Sequence, residues 1–219
     1  MTARSSSRRS PPAQWLDGEG YRRLEERLEA ALRRARAAGT PVLASLTASV
    51  RGAIDPTAVV AAARRPGEPW FSLEQPDRDG WALAALGSVR VLEARGDDRF
   101  VQVAARWRAL ASSALADWAD GPPGSGLVAL GGFAFAPDGG ASAHWQGFAP
   151  ASLVVPEVSL SRRSGRASLT VNAEVAPDDT LADLRARISQ RLGEMRNAPL
   201  PLLDPAPAGT YRVHSPMPP

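Results

Sequence analysis

The sequence predicts an α+β domain with largely antiparallel sheets flanked by helices. Strand-like segments arrive in neighbouring pairs, and the helical segments are few and widely separated. A doubly wound parallel sheet would alternate the two kinds of element, which this chain does not do. At 219 residues with a hydrophobic fraction of 44%, the chain is long enough to bury a core without a metal or disulfide staple.

Gly18 to Ala38 carries Leu24, Leu28, Leu32 and Ala35 at helical spacing, with Arg and Glu on the other faces, and Gly39 and Pro41 stop it. VLASLTASV places Val42, Ala44, Leu46, Ala48 and Val50 on one face of a strand. Asp55 followed by Pro56 reads as a cap and first position of a short helix reaching about Ala63. Trp70 to Leu73, Trp81 to Leu86 and Val89 to Glu93 read as three strands, separated by turn signals at PDRDG and at Gly87-Ser88. The clearest helix opens at Asp97-Asp98 and carries Phe100, Val103, Trp107, Leu110, Ala114 and Trp118 on one stripe. Leu127 to Phe135 reads as an apolar strand. Leu153 to Leu160 and Ala167 to Val175 form a hairpin about Arg163-Ser164-Gly165. The last helix is capped near Asp178 to Thr180 and shows Leu181, Leu184, Ile188 and Leu192 on one face.

Outside these elements, residues 1–17 read as a disordered basic arm and residues 199–219 as a proline-rich connection, leaving 18–198 as the folded unit. No apolar stretch is long enough to span a bilayer. There is no Cys, which excludes disulfides and thiolate chemistry and suits a cytoplasmic protein. All 26 basic residues are Arg. The absence of Lys removes Schiff-base chemistry, Lys general bases and the phosphate-loop lysine. Past Arg4, Arg8 and Arg9 the remaining Arg residues alternate with carboxylates, so no basic stripe suggests a nucleic-acid partner.

GPPGSG (Gly121 to Gly126) is the nearest approach to an anion-binding loop. It follows a helix and lacks the lysine-serine element, so it reads as a helix-to-strand connection. Gly131-Gly132 inside a strand suggests a bulge or a close backbone approach. Glu74, Asp77 and Asp79 are the densest acidic group and could hold magnesium, but PDRDG looks like a turn. His144 and His214 have no partner at ligand spacing. His144 could act as a general acid or base, although a lone His is more often a hydrogen-bonded structural residue. Trp70, Trp81, Trp107 and Trp118 read as core.

Two segments resemble a known family. WFSLEQPDRDGWALAALG (Trp70 to Gly87) is similar to the stretch of isochorismate synthases in which an aromatic strand leads through Glu-Gln-Pro-Asp to a second strand. LVALGGFAFAPDG followed by HWQGFAPASLVVPEVSLSRRSG (Leu127 to Gly165) resembles that family's next signature. The resemblance implies the fold of the chorismate-utilising enzymes, like anthranilate synthase component I, with antiparallel sheets packed as a sandwich. It also implies a complete enzyme that converts chorismate to isochorismate with Mg2+, for menaquinone or siderophore synthesis. In that family a Lys activates the attacking water, and Glu residues act as general acid and metal ligands.

Those residues belong to the family's carboxy-terminal half, so the resemblance assigns no catalytic, cofactor-binding or metal residue here. The chain is expected to be an amino-terminal fragment, inactive alone and binding no metal. Its expected partners are chorismate in the complete enzyme and the missing half, with no nucleic acid and no membrane. An apolar edge left without that half would favour aggregation. The alternatives are another chorismate enzyme (salicylate, anthranilate or aminodeoxychorismate synthase), or a non-catalytic binding or regulatory module that keeps the fold.

Overall fold

The computed structural model describes residues 15–118, 120–136, 145 and 147–197. His144, His214 and the proline-rich stretch from residue 199 lie outside them.

Helix α1 (Gly18–Ala38) starts at Asp17, whose side chain accepts the Gly20 N–H at 2.8 Å, and ends at Gly39. Its buried stripe contains the four residues picked out by periodicity, with Gly20 and Ala31 added. Trp15 and Leu16, within the stretch read as an arm, are instead buried, and Trp15 Nε1 donates to Met195 O at 3.2 Å. The indole supplies an apolar face and one donor, and both find partners in the core.

Strand β1 (Val42–Val50), helix α2 (Pro56–Ala63) and strands β2 (Trp70–Gln75), β3 (Trp81–Leu86) and β4 (Arg90–Ala94) lie where the sequence predicts them. In α2 the Asp55 carboxylate accepts from Thr57 and Ala58 N–H at 3.0 and 3.2 Å. Asp55→Ala is expected to cost about 1 kcal/mol, read as a shift in the urea midpoint at unchanged slope.

Helix α3 (Arg99–Ser113) is shorter than predicted. The chain leaves it to form β5 (Leu115–Ala116), which pairs in parallel with β1 at Ala44 and Ser45. Of the α3 stripe only Val103 is buried, because α3 packs mainly on the narrow sheet carrying β4. The expectation that Trp70 and Trp118 are core is overturned: they are 52% and 98% exposed. Periodicity shows which residues share a face and not whether anything covers it.

The remaining elements are β6 (Leu130–Phe133), β7 (Ala151–Val155), β8 (Val158–Arg163), β9 (Arg166–Val175) and α4 (Leu181–Glu194). Sheet A has the order β2-β3-β8-β9-β1-β5 and sheet B the order β4-β7-β6. All pairings but β1 with β5 are antiparallel. The predicted strand Leu153 to Leu160 is therefore two strands in different sheets. Pro156 has no N–H to give a ladder, and the break falls there.

Two connections thus pass from sheet to sheet side by side: β3 to β4 through Gly87-Ser88, and β7 to β8 through Pro156-Glu157. They are tied by Glu157 N–H to Leu86 O at 3.0 Å and Val89 N–H to Val155 O at 2.9 Å. The main core lies on one face of sheet A, where Leu46, Leu86, Leu160 and Leu169 meet Leu28, Val59, Leu184 and Ile188 from α1, α2 and α4.

Candidate functional site

The junction between the sheets holds the most concentrated buried charge among the described residues. Arg191 falls on the buried face of α4, one turn beyond Ile188, and is 1% exposed. Its guanidinium pairs with Glu68, approaches Glu157 at 3.2 Å and Glu194 at 3.5 Å, and donates to Ala63 O at 3.3 Å. Arg65 closes the cluster on Glu194 at 2.8 Å. One side chain of α4 therefore holds the end of α2, the entry to β2 and the β7–β8 hinge together. Gly87 lies against this cluster with φ 71°, and a Cβ there would come within 2.9 Å of Glu157. The periodic reading of α4 stopped at its apolar residues, but the position of Arg191, seven after Leu184, is the signal that marks it as inward-facing.

Over β1, β8 and β9 the other face of sheet A is largely polar, by alternation with the core residues, whereas β3 adds Leu83 and Ala85 to it. This face presents Ser45 and Thr47 on β1, Ser159 and Ser161 on β8, and Ser168, Thr170 and Asn172 on β9. The GPPGSG segment lies across this face. Ser125 Oγ meets Ser168 Oγ at 2.5 Å, Gly126 N–H donates to Thr170 Oγ1 at 3.1 Å, and Ser161 Oγ and Trp81 Nε1 both donate to Pro123 O, at 2.7 and 2.8 Å. The Gly126 N–H and the Pro123 carbonyl are spent on the sheet, and the segment connects strand β5 to strand β6 rather than a helix to a strand as the sequence predicts. Among the described residues, Ser45 Oγ, Ser159 Oγ and Asn172 Oδ1 have no hydrogen-bond partner. The alternating Ser/Thr positions of β8 and β9 were a legible signal of a polar inner face that periodicity of apolar residues alone passed over.

The acidic group at PDRDG is a turn. Asp79 has φ 56°, Gly80 N–H donates to Pro76 O at 3.1 Å, and the Asp79 carboxylate receives Arg163 at 2.9 Å. Gly131 is a close backbone approach: an added Cβ would lie 1.9 Å from Ser152 O.

A family model described as chorismate binding enzyme matches residues 29–215, most of the chain. The chain belongs to this family of chorismate-binding enzymes. It is also 31% identical over 160 residues to the salicylate biosynthesis isochorismate synthase of Pseudomonas aeruginosa, a match covering 73% of this chain and 31% of that protein. The chain thus spans about a third of the length of that curated relative. Among solved structures, the menaquinone-specific isochorismate synthase MenF of Escherichia coli is similar at 16% identity and a TM-score of 0.43, over 80% of this chain and 35% of that one.

The donor set of this chorismate-binding family member does not fit Mg2+ at the junction. Glu68, Glu157 and Glu194 already face Arg191 and Arg65, and a magnesium ion requires carboxylate oxygens free of cations in near-octahedral array. Among the described residues no group of three or more His, Asp or Glu is placed to hold a metal, and no helix is long and apolar enough to cross a membrane.

Glu157 instead has a titration consequence. Burial raises its carboxyl above the ordinary value of 4.5, Arg191 and Arg65 pull it down less strongly, and Glu68 and Glu194 add to the rise. The folded chain then holds this proton more tightly than the unfolded chain. The Glu157 contribution to stability is present below the ordinary value and is lost as pH rises through the folded value. Glu157→Gln mimics the protonated form. It is expected to match the parent in acid and to be at least as stable near neutrality, as measured by urea unfolding across the pH range.

Proposed function

We propose that this chain is the amino-terminal scaffold of an isochorismate synthase whose chemistry is carried by a further part of the protein. The observation that carries this reading is the family match over residues 29–215, joined to the span of only 31% of an isochorismate synthase relative. The complete enzyme would convert chorismate to isochorismate, serving menaquinone or siderophore formation in the cytoplasm. Mg2+ bound in the further part would supply charge neutralisation at a substrate carboxylate.

This chain's own residues position the two sheets. Arg191 and Gly87 set the junction, and the Ser125 and Pro123 contacts lock the GPPGSG segment on the polar face of sheet A. Such a scaffold contributes to rate by holding groups it does not itself carry, because angstrom errors in placement are costly in catalysis.

The test reads the genomic frame past the codon for Pro219 and assays the complete product with chorismate and Mg2+. The proposal expects an open frame encoding a strand-borne Lys and several Glu, with isochorismate formed by the complete product and none by the 219-residue chain. A closed frame with no neighbouring gene supplying such a segment overturns it and leaves a non-catalytic binding module.

A further inference from the structure

Five aromatic side chains gather at one rim of sheet B, each between 46% and 103% exposed: Phe100, Phe133, Phe135, Trp145 and Phe148. Single exposed aromatics are ordinary on a protein surface, whereas a contiguous group marks a contact. Four of the five form two ring pairs. Phe100 on α3 and Phe133 on β6 have ring centroids 5.1 Å apart, and Trp145 and Phe148 meet edge to face at 6.0 Å. Ala134 N–H donates to Pro150 O at 2.7 Å, which brings the two arms of the β6–β7 connection, and so both aromatic pairs, to the same end of the ladder.

The rim is also held in place. Arg99, 2% exposed, donates to Ala134 O at 3.0 Å and Phe135 O at 3.2 Å, and its guanidinium lies 4.4 Å from the centre of the Phe100 ring. A buried charge spent on positioning an exposed rim makes a preorganised surface, and preorganisation lowers the entropy cost of association. Beside the rim, β6 is an edge strand of sheet B among the described residues. An aromatic cluster beside an edge strand matches the composition of interface cores.

We infer that this rim is the surface on which the remaining two thirds of an isochorismate synthase chain packs. The occupant follows from length: the relative carries more than twice as much chain again beyond the 31% that this sequence matches. The inference rests on the proposed function for its occupant, while the surface itself rests on the geometry above.

The test uses the 219-residue chain and, as probe, the separately produced part of the Pseudomonas aeruginosa relative that it does not match. Binding is measured by calorimetry for the parent and for Phe148→Ser and Trp145→Ser, both mostly exposed, with circular dichroism to confirm folding. Tyr21→Ser is the control, because α1 packs on β1, β9 and α4. Loss of affinity of about ten-fold or more in each rim variant, with the control unchanged, is the expected result. Equal binding by parent and rim variants, no binding by the parent, or rim-dependent self-association of the chain without binding to the probe each overturns the inference. A rim-dependent complex that leaves chorismate unconverted counts against the proposed function alone, and conversion unaffected by the rim variants counts against this inference alone.

Discussion

Replacing Arg191 with Met is expected to lower stability by about 3–5 kcal/mol near neutral pH, the range for removing one partner of a buried ion cluster. The methionine fills similar space, so the loss is electrostatic: Glu68 and Glu157 are left facing each other with no guanidinium between them. The sign of the pH dependence separates this cause from a packing defect. Protonation of the orphaned carboxyls removes their repulsion, so the deficit shrinks as pH falls. Urea unfolding at neutral and acid pH measures it. A deficit that stays constant with pH would assign the loss to packing. Because Arg191 holds the β7–β8 hinge, the variant is also expected to lose amide-exchange protection at Glu157 and Val89, whose N–H groups tie the two inter-sheet connections.

Gly131→Ala is expected to cost about 3 kcal/mol or more, at the upper end of overpacking penalties. The added methyl would lie 1.9 Å from Ser152 O, 2.9 Å from Ser152 C and 3.0 Å from Leu153 Cα. All three are backbone atoms of β7, so no rotamer change relieves the clash and β6 must leave its partner. Gly132→Ala is the matched control: among the described residues it meets nothing within 4 Å, and it is expected to stay within about 0.5 kcal/mol. Equal effects at the two positions would remove the steric account. Loss of β6 would also scatter the aromatic rim, since Phe133 is the last residue of that strand.

The legibility of these features differs for physical reasons. Asp55 and Thr180 act locally as helix caps, so their positions could be read from a few neighbouring residues, whereas the cap Asp17 fell in the stretch read as an arm and Asp98 makes no side-chain capping bond. The β8–β9 hairpin was legible for the same reason, its turn chemistry and alternation lying within a short stretch. The strand broken at Pro156 was not, because both halves are apolar and extended and only their partners differ. Within the cluster around Arg191, Glu68 lies 123 positions away in the chain, beyond the reach of any local pattern.

The sequence by itself determined the α+β class, the helices and most strands, the turn at PDRDG, the lack of Lys and Cys, and the resemblance that pointed to the chorismate-binding enzymes. These depend on residue type and on short-range periodicity, which a linear string contains in full. Only the tertiary structure decided which faces are covered. It placed Trp15 inside and Trp118 outside, sent one apolar run into two sheets, brought Glu68 and Glu157 to Arg191 and exposed five aromatics at one end of sheet B. Burial is a relation between distant segments, and it is set by what packs against a residue and not by the residue alone.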